Sequence, residues 1–348
     1  MTTRPLIAVL AVLLALQAAS TAFAITEEQE KAITAKIIGP ETADNNCATC
    51  HALEVEAWKQ THHFVTFQNA HTTDEAKAIL KNMGERSMKR STECRQCHYT
   101  SVLKGDSIVA SWGVSCESCH GPGKDWNDVH NKVGDQKLAW GTGKNQTPEQ
   151  KMARLDPSAT KGMIHSEMLY DIASNCFGCH TVPNETLVNK GQHKAGSDFD
   201  LVAWSQGEVR HNFASSAGAP DQPRNRAASP EQLRRLYVVG ALVDLETSLR
   251  NLANVKEKGG AFHKAMIERV NAGRMKMDKI VAAADLPMIA AALKQVPSPV
   301  DASTPVDAAA ADALGKAGRA FVTEHDGSKL AAIDPQIPTQ YKGAPYKP

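Results

Sequence analysis

The C-terminal third of the chain has the clearest periodic pattern of apolar side chains. Two long stretches, separated by Gly259 and Gly260, carry an apolar residue at about every third or fourth position. These residues are Val238, Leu242, Leu245, Leu249 and Leu252 in the first stretch, and Phe262, Met266, Val270, Met277 and Val281 in the second. The spacing places each set on one face of a helix. We therefore predict two long helices, starting at Ser229-Pro230 and at Ala261, that pair as an antiparallel hairpin.

The rest of the pattern predicts shorter helices joined by polar loops. They cover residues 26–36, 52–63, 198–207, 286–296 and 305–324, and a further helix starts at Thr147-Pro148. We predict a mainly α fold: a module over residues 25–228 with little regular sheet, followed by an all-α helical domain over residues 229–324. The polar, proline-rich tail at 325–348 is predicted to be poorly ordered.

Composition and the N-terminus limit the classes of function. Lysine and arginine number 39 against 38 acidic residues, so the charge gives no general case for nucleic-acid binding. Residues 1–24 combine Arg4, an apolar run and Ala22-Phe23-Ala24, which is typical of a cleaved signal peptide. No later segment is apolar over a length that spans a bilayer. We expect export to the periplasm, or to the outer face of the cell, without a transmembrane anchor after cleavage.

The eight cysteines form four copies of one pentapeptide, Cys-x-x-Cys-His. The copies lie at residues 47–51, 94–98, 116–120 and 176–180, and their residues are Cys47, Cys50 and His51; Cys94, Cys97 and His98; Cys116, Cys119 and His120; Cys176, Cys179 and His180. Two thiols at i and i+3 lie on one side of a helical turn, where both can form thioethers with haem vinyl groups. The histidine that follows is the proximal iron ligand. We predict four c-type haems.

Disulfides and zinc are the alternatives for paired cysteines in an exported protein. Neither explains why a histidine follows every pair. Aromatic residues make up only 5% of the chain, which is low for a core of this size unless the cofactors supply apolar bulk. Only seventeen residues separate the second motif from the third, so these two haems are expected to lie close together.

The motif region resembles the tetrahaem cytochrome c-554 family. The matching features are the first motif followed by Trp58 and His63, the Gly-Val-Ser-Cys-Glu-Ser-Cys-His-Gly-Pro-Gly block at residues 113–123, and His130. The likeness covers roughly residues 47–130, continues as motif order to residue 180, and does not extend to the C-terminal helices. It implies a multihaem cytochrome that carries electrons between redox partner proteins.

The resemblance also implies distal ligands for two of the irons. It implies that His63 binds the third haem opposite His120, and that His130 binds the first haem opposite His51. A helix over residues 52–63 would carry His63 about 18 Å away from the haem of the first motif, which agrees with a role as ligand of a neighbouring haem. His62 is the adjacent alternative, and the helical register allows only one of the two to face an iron.

A fourth distal ligand is expected downstream of the last motif. Both His193 and His211 qualify as the partner of His180. We favour His211, because Glu208 and Arg210 stand beside it and could hold it or a haem propionate.

The second haem, on His98, decides between two functions. In some relatives this iron keeps an open position, and an open iron predicts an enzyme that acts on nitric oxide, hydroxylamine or nitrite. If the site is closed, the donor is His193 or His71, and the sequence then favours an electron carrier. A third hypothesis is a haem-lined filament in which a histidine of one subunit caps a haem of the next, so an oligomer is compatible with the sequence.

Overall fold

Fourteen α-helices make up most of the part of the chain that this computed structural model describes, residues 25–41, 46–133, 136–137, 147–213 and 225–347. The predicted signal peptide at residues 1–24 lies outside these ranges. The helices are α1 Glu27–Thr34, α2 Ala52–Lys59, α3 His62–Asn69, α4 Asp74–Met83, α5 Thr92–His98, α6 Cys116–His120, α7 Pro148–Ala159, α8 Leu169–His180, α9 Glu185–Asn189, α10 Leu201–Ser205, α11 Pro230–Ala253, α12 Ala261–Ala283, α13 Pro287–Leu293 and α14 Ala308–Glu324. The predicted mainly α class is confirmed.

Regular sheet within the described residues is limited to two small antiparallel pairs. β1 Thr100–Lys104 pairs with β2 Ser107–Trp112 between the second and third motifs, and β3 Lys132–Val133 pairs with β4 Gln136–Lys137. Gly105, with φ +58°, turns the first hairpin. At the end of this hairpin Gly113 lies against the backbone of α3, where a Cβ would come within 2.2 Å of the His63 carbonyl oxygen. The hairpin thus holds the His63 segment close to the third motif.

The helix predicted over residues 52–63 is two helices. α2 ends at Lys59, and Thr61 begins α3 by accepting a hydrogen bond from the Phe64 amide on its side-chain oxygen. The Thr61 hydroxyl also donates to the Trp58 carbonyl at 2.7 Å, which ties the two helices together. His63 therefore lies in the first turn of a new helix, and the prediction that it ends a continuous one is wrong. A threonine that caps a helix competes locally with helix continuation.

The predicted C-terminal hairpin is confirmed. α11 begins with a capping box between Ser229 and Gln232 and packs along α12. Val238, Leu242, Leu245 and Leu249 of α11 are fully buried. Gly273 of α12 lies against Leu245, where a Cβ would be 3.3 Å from the leucine Cβ. The α11–α12 pair is thus closely packed, and α14 packs on another side of α11.

One hydrophobic core joins the two regions that composition separates at residue 229. Tyr170, Ala173 and Phe177 of α8, the helix of the fourth motif, are buried in the same cluster as α11 and α14. Leu201 and Val202 of α10 belong to it as well. The C-terminal helices therefore pack directly behind the fourth motif and support its position.

The C-terminal segment is ordered against the helices, in contrast to the predicted loose tail. Residues Ser328–Gln336 form two 3₁₀ turns on either side of a kink at Leu330, and Leu330 and Ile333 are buried. Asp334 pairs with Arg234 of α11 through two contacts of 2.7 Å. The two buried apolar side chains and this ion pair hold the segment against the helices, although its composition is polar overall.

Across the described ranges, none of the helices combines the length and the apolar character needed to cross a lipid bilayer.

Candidate haem site

All eight cysteines line one large cavity of about 2500 Å³. The second, third and fourth motifs end helices α5, α6 and α8, and the first lies on a 3₁₀ turn over Cys47–Thr49. A pocket for one small molecule usually occupies about 300–1,000 Å³. The cavity therefore has the size for several large ligands, and every Cys-x-x-Cys-His motif opens into it.

Each motif histidine faces a second histidine from elsewhere in the chain. The four pairs, with their distances between ring centroids, are His51 and His130 at 6.2 Å, His98 and His193 at 6.4 Å, His120 and His211 at 6.0 Å, and His180 and His63 at 6.2 Å. A metal ion held between two imidazole nitrogens at about 2.0 Å each would put the ring centroids roughly 6 Å apart. The histidines thus have the separation that two axial ligands of one iron require.

Hydrogen bonds to the Nδ1 atoms orient most of these rings. His120 donates from Nδ1 to the Ile164 carbonyl at 2.8 Å, and His130 donates to the Asn127 carbonyl at 2.6 Å. His193 and His211 donate in the same way to the Lys194 and Val209 carbonyls, at 2.8 and 2.6 Å.

The ring of His180 is oriented by a side chain. The hydroxyl of Ser197 donates to the carbonyl of His180, so it accepts from the His180 Nδ1 at 2.9 Å. A partner on Nδ1 leaves Nε2 as the ligating nitrogen, which is the usual arrangement of a metal-bound histidine. The sequence offered no signal for these partners, since all but Ser197 are backbone carbonyls.

Burial favours the neutral, metal-binding form of five histidines that line the cavity. It lowers the pKa of His98, His120 and His180 to about 4, and the facing histidine contributes in each case. The pKa values of His63 and His130 are also lowered by burial. Neutral imidazole has the free lone pair that a metal needs, and protonated imidazole does not.

Two of the facing pairs differ from the expected ligand pairs. His63 faces His180 of the fourth motif, whereas the resemblance implied His120 of the third. His211 faces His120, whereas it was favoured for His180. His130 faces His51, the residue for which the resemblance implied it. Because Thr61 caps a separate helix that starts at His62, His63 lies in the first turn of that helix, and the distance estimated along one continuous helix does not apply.

The geometry also distinguishes between the histidines that the sequence left as alternatives, His62 or His63 and His193 or His71. The side chain of His62 is 78% exposed and its Nδ1 lies 2.6 Å from Glu208 Oε2, so it is His63 that enters the cavity. His193, and not His71, faces His98. Glu208 therefore holds His62 and does not hold His211.

The cysteines of different motifs lie side by side. The Cys47 thiol is within hydrogen-bonding reach of Cys116, and Cys97 is within reach of Cys179. Cys119 and Cys176, of the third and fourth motifs, are also close enough to interact electrostatically. The first motif is therefore next to the third, the third next to the fourth, and the fourth next to the second.

The structure does not favour the alternative uses of the cysteines. All eight thiols are unbonded to one another. Within the described ranges, no group of three or more His, Cys, Asp or Glu side chains has the arrangement of a metal-ion site.

Comparison with known proteins identifies the motif region. Residues 46–121 match the family described as cytochrome c554 and c-prime. Over this region the chain is similar to the cytochrome c-554 family. Cytochrome c-554 of Nitrosomonas europaea (strain ATCC 19718) is 28% identical over 171 residues, which are 47% of this chain and 65% of that protein. The match thus spans slightly less than two thirds of the relative's length. No solved structure matches the chain significantly.

The similarity to the cytochrome c-554 family points to c-type haem, and the residues of the cavity fit that group. Thioether attachment needs paired thiols, and axial ligation needs a facing imidazole at the observed separation. The cavity supplies both at each of the four motifs. The matched residues 46–121 contain the first three motifs, and the fourth motif and the C-terminal helices lie beyond them.

Proposed function

We propose that this protein is a four-haem c-type cytochrome that carries electrons between redox partner proteins in the periplasm. The observation that supports it best is the set of four histidine pairs, each joining one motif histidine to one outside the motifs at 6.0–6.4 Å. In this proposal the eight cysteines hold the haems covalently. The iron ligands are His51 with His130, His98 with His193, His120 with His211, and His180 with His63.

The chemistry that haem supplies is the storage of one electron on its iron. The chain's own residues determine how that electron is used. With haem bound, each histidine pair would hold the iron from both sides and would keep substrates away from the metal. The buried cavity limits contact with water, and the Nδ1 partners fix the ring positions, so little rearrangement accompanies a change of iron charge.

The neighbouring cysteines support a relay through all four haems. The adjacency of the motifs gives the order first, third, fourth, second. Cys50 of the first motif is exposed, and the His193 partner of the second motif lies in a partly exposed loop. In this order the first and second haems are the two ends of the relay, and these exposed positions are where a donor and an acceptor would approach.

The geometry gives less support to the two alternative functions. The enzyme hypothesis needs an open iron on His98, but His193 faces that residue. The filament hypothesis needs a haem without a ligand from its own chain, and each of the four motif histidines has such a partner. We therefore place electron transfer before both.

Haem stoichiometry and electron uptake test the proposal. The intact mass of the exported protein should exceed that of the polypeptide by four haems, and a reductive titration should take up four electrons per chain. Cell fractionation should recover the protein with the periplasmic contents. A mass that corresponds to fewer haems, or to bound zinc, would overturn the proposal.

A further inference from the structure

Three arginines on α11 differ in how their charges are compensated. Arg234 pairs with Asp334, and Arg250 donates to both Glu246 and Asp312. Arg235 has no carboxylate within 4 Å among the described residues. Its Nη2 donates to the Val322 carbonyl at 2.9 Å, and its Nε is buried without a hydrogen-bond partner.

Of the three arginines, Arg235 is the one that has no carboxylate partner among the described residues, and it lines the haem cavity. The nearby carboxylate is that of Glu167, which is already engaged by Lys151. A buried guanidinium nitrogen that lacks an acceptor is unfavourable, and an anionic acceptor in the cavity would remove that cost. Arg235 is thus placed to bind an acidic group of whatever fills the cavity.

Arg210 is in a similar situation. It also lines the cavity, and among the described residues its buried Nε likewise has no hydrogen-bond partner. Its backbone is held in place, because Asn225 Nδ2 donates to its carbonyl at 2.8 Å. Among the described residues no carboxylate lies within ion-pair distance of its guanidinium.

Both arginines belong to the part of the cavity around the third motif. Arg210 directly precedes His211, which faces His120. His120 is bound on its other side to the Ile164 carbonyl, and the chain continues from there through His165 to Glu167, on which the charge of Arg235 acts. Two unsatisfied guanidinium donors therefore lie near one histidine pair.

The acidic groups of haem are its two propionates, which project from one edge of the porphyrin. Guanidinium matches a carboxylate with two parallel hydrogen bonds. We propose that Arg210 and Arg235 bind the propionate carboxylates of the haem held between His120 and His211. This inference rests on the proposed four-haem function, and it gives the C-terminal helices a part in the haem site itself.

A cation beside a haem stabilises the reduced state, because reduction adds a negative charge. Replacement of either arginine by glutamine should therefore lower the midpoint potential of the third haem. We expect about a tenfold shift in its one-electron equilibrium, which is about 59 mV. The propionate should also titrate at higher pH once its partner is lost, so the potential of this haem should become more dependent on pH.

The test is a redox titration of holoprotein followed by optical spectroscopy at several pH values. The variants are Arg210→Gln, Arg235→Gln and Arg235→Lys, with Arg86→Gln as the matched control, since Arg86 is an exposed arginine that does not line the cavity. A His211→Met variant identifies the third haem, because a methionine ligand raises its potential. Arg235→Lys should recover part of the potential, since it keeps the charge and loses the two-pronged geometry.

The outcomes separate this inference from the proposed function. The inference is supported if the glutamine variants retain four low-spin haems and show a lowered, more pH-dependent potential at the third haem alone. Glutamine variants with four haems and unchanged potentials overturn it and leave the four-haem function intact. If Arg235→Gln does not yield holoprotein, Arg210→Gln and Arg235→Lys decide by the same measurement. Wild-type protein with fewer than four haems would overturn both.

Discussion

In the proposed assignment, His193 is the residue that closes the iron on His98. Its ring faces His98, and its Nδ1 is held by the Lys194 carbonyl. In the proposed assignment, His193 makes the difference between a relay and a reactive haem. A change at this residue should therefore convert one haem without affecting the other three.

Replacement His193→Ala should produce one five-coordinate, high-spin haem per chain. The open iron should then bind carbon monoxide in the reduced protein, with one equivalent bound per four haems. The matched control is His71→Ala, because His71 was the other candidate for this iron and does not face His98. A His193→Ala protein that stays fully low-spin, or a His71→Ala protein that binds carbon monoxide, would contradict the assignment.

At the scale of single residues, the sequence identifies the candidate ligand histidines but does not determine which two of them face each other. Each motif histidine is specified locally, because the cysteines on the same helical turn fix its role. The distal histidines His63, His193 and His211 were all identified as candidates. Their partners depend on how α3 and the loops after α8 fold back over the motifs, which no local pattern encodes. The expected partners of His63 and His211 were accordingly the reverse of those that the two residues face in the structure.

The break between α2 and α3 depends on one buried cap. The Thr61 side chain accepts from the Phe64 amide and donates to the Trp58 carbonyl, and the residue is 4% exposed. The apolar pattern over residues 52–63 continues through this point, which is why it predicts one helix. Threonine is an ordinary residue in a helix and a good cap, and its role is decided by the packing around it.

Replacement Thr61→Ala should destabilise the protein by about 0.5–2 kcal/mol, the usual cost of a lost N-cap. Because His63 lies in the first turn of the same helix, the spectrum of the fourth haem should change as well. The comparison is Thr73→Ala, which removes an exposed cap from α4. Chemical denaturation and low-temperature magnetic resonance measure the two effects. A normal fourth-haem signal in Thr61→Ala would argue against this role of the cap.

Helix α11 is the element on which the C-terminal half is built. Its apolar face could be read from the sequence, because five of its leucines and valines repeat with the helical period. The packing of α8 of the fourth motif onto the same helix could not, since Tyr170 and Phe177 have no special spacing relative to α11. Contacts between distant segments are decided by the whole fold.

Replacement Leu245→Ala should cost about 2–5 kcal/mol, because Leu245 is fully buried at the close approach of α11 to α12. Met275→Ala on α12 is the control, since Met275 is 63% exposed, and it should change stability by no more than about 0.5 kcal/mol. Equilibrium denaturation followed by circular dichroism measures both. Equal effects from the two variants would show that α11 and α12 do not pack as described.

On the scale of the whole molecule, the composition change at residue 229 does not coincide with a break in the core. The core cluster runs from α8 and α10 into α11, α12 and α14. The C-terminal segment continues the connection, because Lys342 exchanges backbone hydrogen bonds with Ala203 and Glu208. The change in composition reflects the absence of cysteines after residue 179. It does not indicate whether helices pack across residue 229.

A shared core predicts that the haem region and the C-terminal helices unfold together. In holoprotein, the change in haem absorbance that follows the loss of the iron ligands and the loss of helical circular dichroism should have the same denaturant midpoint. Two separate transitions, with the helices lost first and the haem signal unchanged, would show that the two regions are independent. The Leu245→Ala variant should shift both signals equally.

The central claim is that four haems lie in one chain with a histidine on both sides of every iron. The most direct measurement is the spectrum of fully oxidised, purified protein, by electron paramagnetic resonance and optical absorption, repeated after reduction under carbon monoxide. We predict four low-spin ferric haems per chain, no high-spin signal and no change with carbon monoxide. A high-spin component that amounts to one haem, with carbon monoxide bound at one site, would contradict the claim.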